Sequence, residues 1–148
     1  MESRFRDFLE LTLPGCEHFH WREVLWHHRW KVFVFPDDRQ RKNLIDICKR
    51  AELVRKILNC PLHVTSALRA GTYNNYINGA TYSMHKVGGA LDFVPQGFKS
   101  IDAMAQARKM IEPHLDSIGI RMERLPRANW IHIDNKDPGP QGNRYFVP

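Results

Sequence analysis

The sequence predicts an α+β fold in one domain. Segments with helical spacing of apolar residues mix irregularly with short strand-like runs instead of alternating with them one for one. Two such runs late in the chain, residues 120–125 and 129–134, are separated only by Pro126-Arg127-Ala128, a hairpin-like pattern that implies antiparallel pairing. The length of 148 residues suits a single domain, residues 1–148. A chain of this size buries about two thirds of its unfolded surface and needs no covalent staple.

The elements follow in order. Residues 4–11 carry Phe5, Phe8 and Leu9 at helical spacing before Pro14-Gly15 breaks the chain. Residues 18–30, HFHWREVLWHHRW, read as a second short helix with an aromatic face, and residues 31–35 as extended. Pro36-Asp37-Asp38 is a helix-start signal. Leu44, Ile47, Cys48, Ala51, Val54, Ile57 and Leu58 then mark one apolar face of a long helix that ends near Asn59. Residues 62–66 read as a strand, residues 70–82 as a long loop of the kind that is often functional, and residues 89–94 as a second core strand. Ser100 is a candidate N-cap for a helix bearing Ile101, Met104, Ala107, Ile111 and Leu115 and stopping near Gly119. The tail, DPGPQGNRYFVP, is too rich in Pro and Gly to predict regular structure.

Composition excludes several classes. Hydrophobic residues make up 43% and charged residues 26% of the chain, as in an ordinary globular protein. No apolar run approaches the roughly 18 residues of a membrane span, so no membrane insertion is expected. The start, MESRFRDFLELTL, places acids early and has no small-residue cleavage site. It does not read as a secretory signal, and synthesis in the cytoplasm is expected. Cys16, Cys48 and Cys60 are odd in number and widely spaced, which suits reduced thiols rather than a disulfide framework or a cysteine metal site. The net charge of +6 favours a polyanionic partner, whether nucleic acid or acidic wall polymer, or serves solubility alone. No nucleic-acid-reading motif accompanies it, so no specific nucleic-acid partner is expected. The basic face of the 39–56 helix reads as a solvated surface.

Chemistry concentrates in Ser83-Met84-His85-Lys86-Val87-Gly88-Gly89-Ala90-Leu91-Asp92 and in Trp130-Ile131-His132-Ile133-Asp134. Two histidines and a carboxylate suit catalytic zinc, leaving a fourth position for water. Gly88, Gly89 and Ala90 allow a tight backbone turn between the first two ligands. His132 sits on a strand, where a ligand is held firmly. With eight histidines in the chain, satisfied structural imidazoles are the competing reading. His18, His20, His27 and His28 cluster with Trp21, Trp26 and Trp30 and read as a packed amphipathic helix, or else as a second metal site or aromatic shelf. His63 and His114 read as structural.

The pattern SxHxxGxAxD over Ser83–Asp92 resembles the signature of the M15 zinc peptidases. These are bacterial and phage D-Ala-D-Ala carboxypeptidases and dipeptidases and L-alanyl-D-glutamate endopeptidases. Thr65-Ser66-Ala67-Leu68-Arg69 resembles the family's Ser-x-x-Arg segment. Tyr73-Asn74 and Asn78-Gly79-Ala80 resemble the loop before the first ligand, and the WIHID run resembles the strand bearing the third. The likeness covers about residues 40–135 and is nearest the phage-associated branch.

The resemblance implies a hedgehog/DD-peptidase-like fold, with a central antiparallel sheet carrying the ligands and helices packed behind. It implies one zinc ion on His85, Asp92 and His132, with Arg69 stabilising the oxyanion and Ser83 binding substrate or supporting the site. The substrate would be the peptide stems of peptidoglycan, reached through a lysis pore or as part of a phage particle. Tyr73 and Trp130 are candidates for lining the cleft. One position departs from the pattern. Many members carry an acid three residues before the last histidine, as general base, and here that residue is Asn129. Asp134 or Glu123 could serve instead. Asp134 shares a strand face with His132 and could equally orient that ring. A zinc-containing domain that binds wall or protein without cutting is the alternative reading.

Overall fold

The computed structural model of the chain describes residues 3–70 and 83–148. It opens with helix α1 (Ser3–Glu10) and the short α2 (Trp21–Leu25). The expected 18–30 helix stops at Leu25. Trp26–His27 leaves it as strand β1 and pairs antiparallel with β2 (Val32–Phe33). The reason is tertiary: Trp26 packs on Phe33 with ring centroids 4.9 Å apart, a contact that cross-strand pairing provides and a continued helix would not.

Helix α3 (Asp38–Leu58) begins where Asp37 accepts from the Gln40 amide at 2.8 Å while Gln40 returns a bond to the Asp37 backbone, a reciprocal cap. It ends on Asn59 in the left-handed conformation. Its buried stripe is Leu44, Ile47, Cys48, Ala51, Val54 and Leu58. Strand β3 (Leu62–Ser66) follows. A 3₁₀ turn (Met84–Val87) leads into β4 (Ala90–Pro95). Ser100 caps α4 (Ile101–Ile111) through the Ala103 amide. A 3₁₀ turn and the short α5 (Leu115–Ile118) end at Gly119. Strands β5 (Arg121–Glu123) and β6 (Ile131–Asp134) form the expected antiparallel hairpin. The tail is more regular than its composition predicts: β7 (Tyr145–Phe146) adds to the sheet parallel to β5.

The main sheet has the order β3-β4-β6-β5-β7 and is antiparallel except at its last pair. The fold is thus α+β, as the sequence predicts. Period-two alternation sorts the sheet's two faces, except that a register shift between Val64 and Ser66 turns Ser66 to the face opposite Val64. Val64, Leu91, Phe93, Met122, Ile131 and Ile133 are buried in one core with the α3 and α4 stripes. Ser66, Asp92, His132 and Asp134 stand on the other face, where the register sets Ser66 opposite Asp92 and Asp92 opposite His132.

Candidate metal centre

His85 arrives on the 3₁₀ turn, and three features hold that turn. Ser83 caps it, its hydroxyl accepting from the His85 amide at 3.2 Å. Gln40 and Asn43 of α3 donate to the carbonyls of Lys86 and Val87 at 3.0 and 2.8 Å. Gly88 closes the turn at φ +79°, and a Cβ there would lie 2.6 Å from the Gln40 carbonyl oxygen. Only glycine meets both the conformation and the close approach to α3. Asp92 and His132 come from β4 and β6 and are direct cross-strand partners.

All three side chains are buried, and one donor atom from each lies within 4.8 Å of the other two. His132 Nδ1 is 2.8 Å and His85 Nε2 3.2 Å from Asp92 Oδ1. Each outward-facing ring nitrogen has an acceptor behind it. His85 Nδ1 lies 2.6 Å from the Ala67 carbonyl, which can only accept, so the proton sits on Nδ1 and Nε2 carries the lone pair. His132 lies between two carboxylates, Nε2 3.0 Å from Asp134 Oδ2 and Nδ1 2.8 Å from Asp92 Oδ1, so with its proton on Nε2 the ring turns Nδ1 toward Asp92 and His85. Two imidazole nitrogens and a carboxylate therefore converge on one buried space, a set that takes up a positive charge, either a proton on His132 or a metal ion in its place. This donor set fits zinc, with each histidine held from behind by an acceptor, as metal-bound imidazoles are.

The electrostatics state the same demand. Burial disfavours charge on Asp92, but His85 and His132 beside it outweigh that and hold its carboxyl well below the usual range. Burial also opposes protonation of His132. The Asp134 and Asp92 carboxylates, with Glu123 farther off, overcome it and push the ring up to about 9.

Arg69 reaches the centre as expected. Its Nη2 donates to Asp92 Oδ2 at 3.3 Å and its Nε to Ser66 Oγ at 3.2 Å, while its backbone amide donates to the His85 carbonyl at 2.9 Å. Asp134 is 1% exposed and fully engaged. Arg121 Nε and the Lys136 amide donate to Oδ1, and Arg121 Nη2 and His132 Nε2 to Oδ2. A carboxylate has about four acceptor sites, so none is left for a substrate water. Trp130, 39% exposed, lies outside the core at the start of β6. Glu123 is half-buried, and continuing the β5–β6 register sets it opposite His132. Asn129 is exposed. Tyr73, with the Tyr73-Asn74 and Asn78–Ala80 segments, lies outside the described residues.

Among the described residues the amino-terminal histidines form no three-ligand group. His18 pairs with Glu52 at 2.7 Å, and Trp26, His28, Phe33 and His63 line a cavity of about 430 Å3. Arg121 was not singled out in the sequence. The polar-apolar-polar run Arg121-Met122-Glu123, set in the hairpin register, is the signal that places it opposite Asp134. The Ala67 carbonyl is backbone and carries no sequence signal.

Comparison with curated proteins finds no match to the chain. A family model described as Peptidase M15 matches residues 17–134, beginning earlier than the motif-bearing likeness and covering most of the chain. By that match, the chain belongs to the peptidase M15 family.

Proposed function

We propose that this protein is a zinc-dependent peptidase that hydrolyses the peptide stems of bacterial peptidoglycan, with water as the nucleophile. The convergence of His85, Asp92 and His132, with Arg69 beside them, in a chain of the M15 family supports this reading most directly. Zinc held by these three residues would activate a water molecule and polarise the scissile carbonyl.

The chain's own residues divide the remaining work. Arg69 is fixed through Ser66 and Asp92 and brings a cation to where charge develops on the attacked carbonyl. Asp134 has no free acceptor site, so it acts through His132 as an orienting group. The proton then falls to Glu123, which is part-exposed on the adjacent strand and whose charge is felt at His132. The Asn129 amide has no proton-accepting form at neutral pH. Ser83 supports the site by capping the His85 turn. Trp130, exposed two residues before His132, is available to wall the peptide.

The test is mass spectrometry of soluble fragments after purified peptidoglycan is incubated with zinc-loaded protein. Stem-peptide fragments are expected with the wild type and not with His85→Ala. Glu123→Gln is expected to keep zinc and lose at least about a hundredfold in turnover, within the usual range for a general base. A protein that holds one zinc and releases nothing would sink the peptidase reading for this substrate and favour a wall-binding domain. A large gain in hydrolysis on Asn129→Glu would take the base role away from Glu123.

A further inference from the structure

The residues that the family model matches end at Asp134, yet the chain continues and returns to the sheet. Strand β7 is pinned to β5 on both sides of Phe146. The Met122 amide donates to the Arg144 carbonyl and the Arg124 amide to the Phe146 carbonyl, each at 2.7 Å. Adjacent strand residues face opposite ways. Tyr145 packs against the core, and Phe146 turns to the face that bears the metal centre.

There Phe146 meets two groups. Arg121 lies over its ring, with Cζ 3.8 Å from the centroid. The His132 ring stands against it at 6.3 Å and 79°, edge to face. Arg121 in turn makes a two-toothed pair with Asp134, Nε to Oδ1 and Nη2 to Oδ2, each at 2.8 Å. A guanidinium is planar and always charged, so an aromatic face beneath it and a carboxylate in its plane leave it a single orientation. Asp134 receives that orientation and passes it to His132 Nε2.

We propose that β7 is a working part of the metal centre. Phe146 holds the Arg121 guanidinium flat, so that Arg121 and Asp134 together fix the His132 ring with Nδ1 turned toward His85 and Asp92. Phe146 is thus a positioning residue that acts on His132 through Arg121 and Asp134. The zinc arm of its test rests on the metal-site reading above, and a second arm does not.

In the first arm, zinc affinity is measured by competition with a chromophoric chelator. Phe146→Leu keeps apolar bulk but removes the aromatic face. It is expected to raise the zinc dissociation constant about tenfold, at the low end for outer-shell partners. Phe146→Tyr and Phe146→Trp, which keep a face, are expected to stay within about twofold, as is Val147→Ala at the exposed neighbouring position. In the second arm, the His132 Nε2 proton is followed by nitrogen-15 NMR in metal-free protein. Its exchange with water is expected to be slow in the wild type and several-fold faster in Phe146→Leu, with the metal-free melting temperature compared alongside. Wild-type zinc affinity and wild-type proton exchange in Phe146→Leu would overturn the proposal. So would equal losses in the Leu, Tyr and Trp variants, which mean a packing role alone. A wild type that takes up no zinc would sink the peptidase reading, and the NMR arm would still decide the role of Phe146.

Discussion

Four donors converge on the Asp134 carboxylate, and this saturation supports the orienting role proposed for it over that of a base. A general base must offer a free oxygen to water. An orienting group must hold one donor firmly and be held itself. The contacts of Asp134 suit the second, since it is clamped by Arg121 and bonded to His132. Asp134→Asn replaces one acceptor by an NH₂ group that faces donors, so the clamp is broken on one side. The expected result is a zinc dissociation constant raised about ten- to a hundredfold, with most of the turnover restored at saturating zinc. A turnover defect that persists at full zinc occupancy would return the base role to Asp134. At this scale the sequence is partly informative. Period-two alternation puts Asp134 and His132 on one face, and the residue types of His85, Asp92 and His132 already suit zinc. The saturation itself comes from the Lys136 amide two residues on, a local contact, and from Arg121 on another strand, a contact that residue 134's own segment does not announce.

At the scale of elements, the site depends on one turn seated against one helix. α3 donates from Gln40 and Asn43 to the 84–87 turn, so the amphipathic helix that builds the core also sets the height of His85. Gly88 is the tightest point of that junction. Gly88→Ala places a Cβ in the left-handed region and against the Gln40 carbonyl. The backbone conformation alone costs about 1–2 kcal/mol, and the contact adds to it. Thermal melts should show a clear drop in stability, and zinc affinity should fall with it because His85 moves with the turn. A variant with wild-type melting temperature and affinity would show that the turn does not position His85. α3 was legible from its cap signal and apolar stripe, and β3 from its length and flanks. The 18–30 segment was not, because its aromatic residues satisfy a helical pattern until Trp26 meets Phe33 across a strand pair. The tail was not legible for a related reason. Tyr145–Phe146 is too short to signal a strand, and it is ordered by the edge of β5 that it joins. Arg108, buried in α4, likewise ties the β5–β6 loop to the helix layer by donating to the carbonyls of Leu125 and Ala128.

For the molecule as a whole, the sheet separates the two kinds of chemistry the chain must contain. One face carries the apolar core with the helices behind it, and the other brings polar groups from four strands into adjacent positions. That strand order was not readable from the sequence, since each strand's pattern gives its faces and not its neighbours. Its energetic consequence is specific. A buried carboxylate between two imidazoles needs a compensating positive charge, which the His132 proton supplies without metal and a bound cation supplies in its place. Zinc that binds the folded chain and not the unfolded one should therefore raise stability by mass action. At a free concentration one hundred times the dissociation constant the gain is about 2.7 kcal/mol. For a domain of this length that corresponds to a rise of about 5–10 °C in melting temperature. The comparison is a melt of the chelated protein against the same protein with zinc restored, alongside His85→Ala under both conditions. The rise should appear in the wild type and be largely lost in the variant. An equal rise in both would mean that zinc stabilises the chain through other ligands, with the histidines near the amino terminus the first to test. No rise in either would mean that the cation this site accepts is a proton and not a metal.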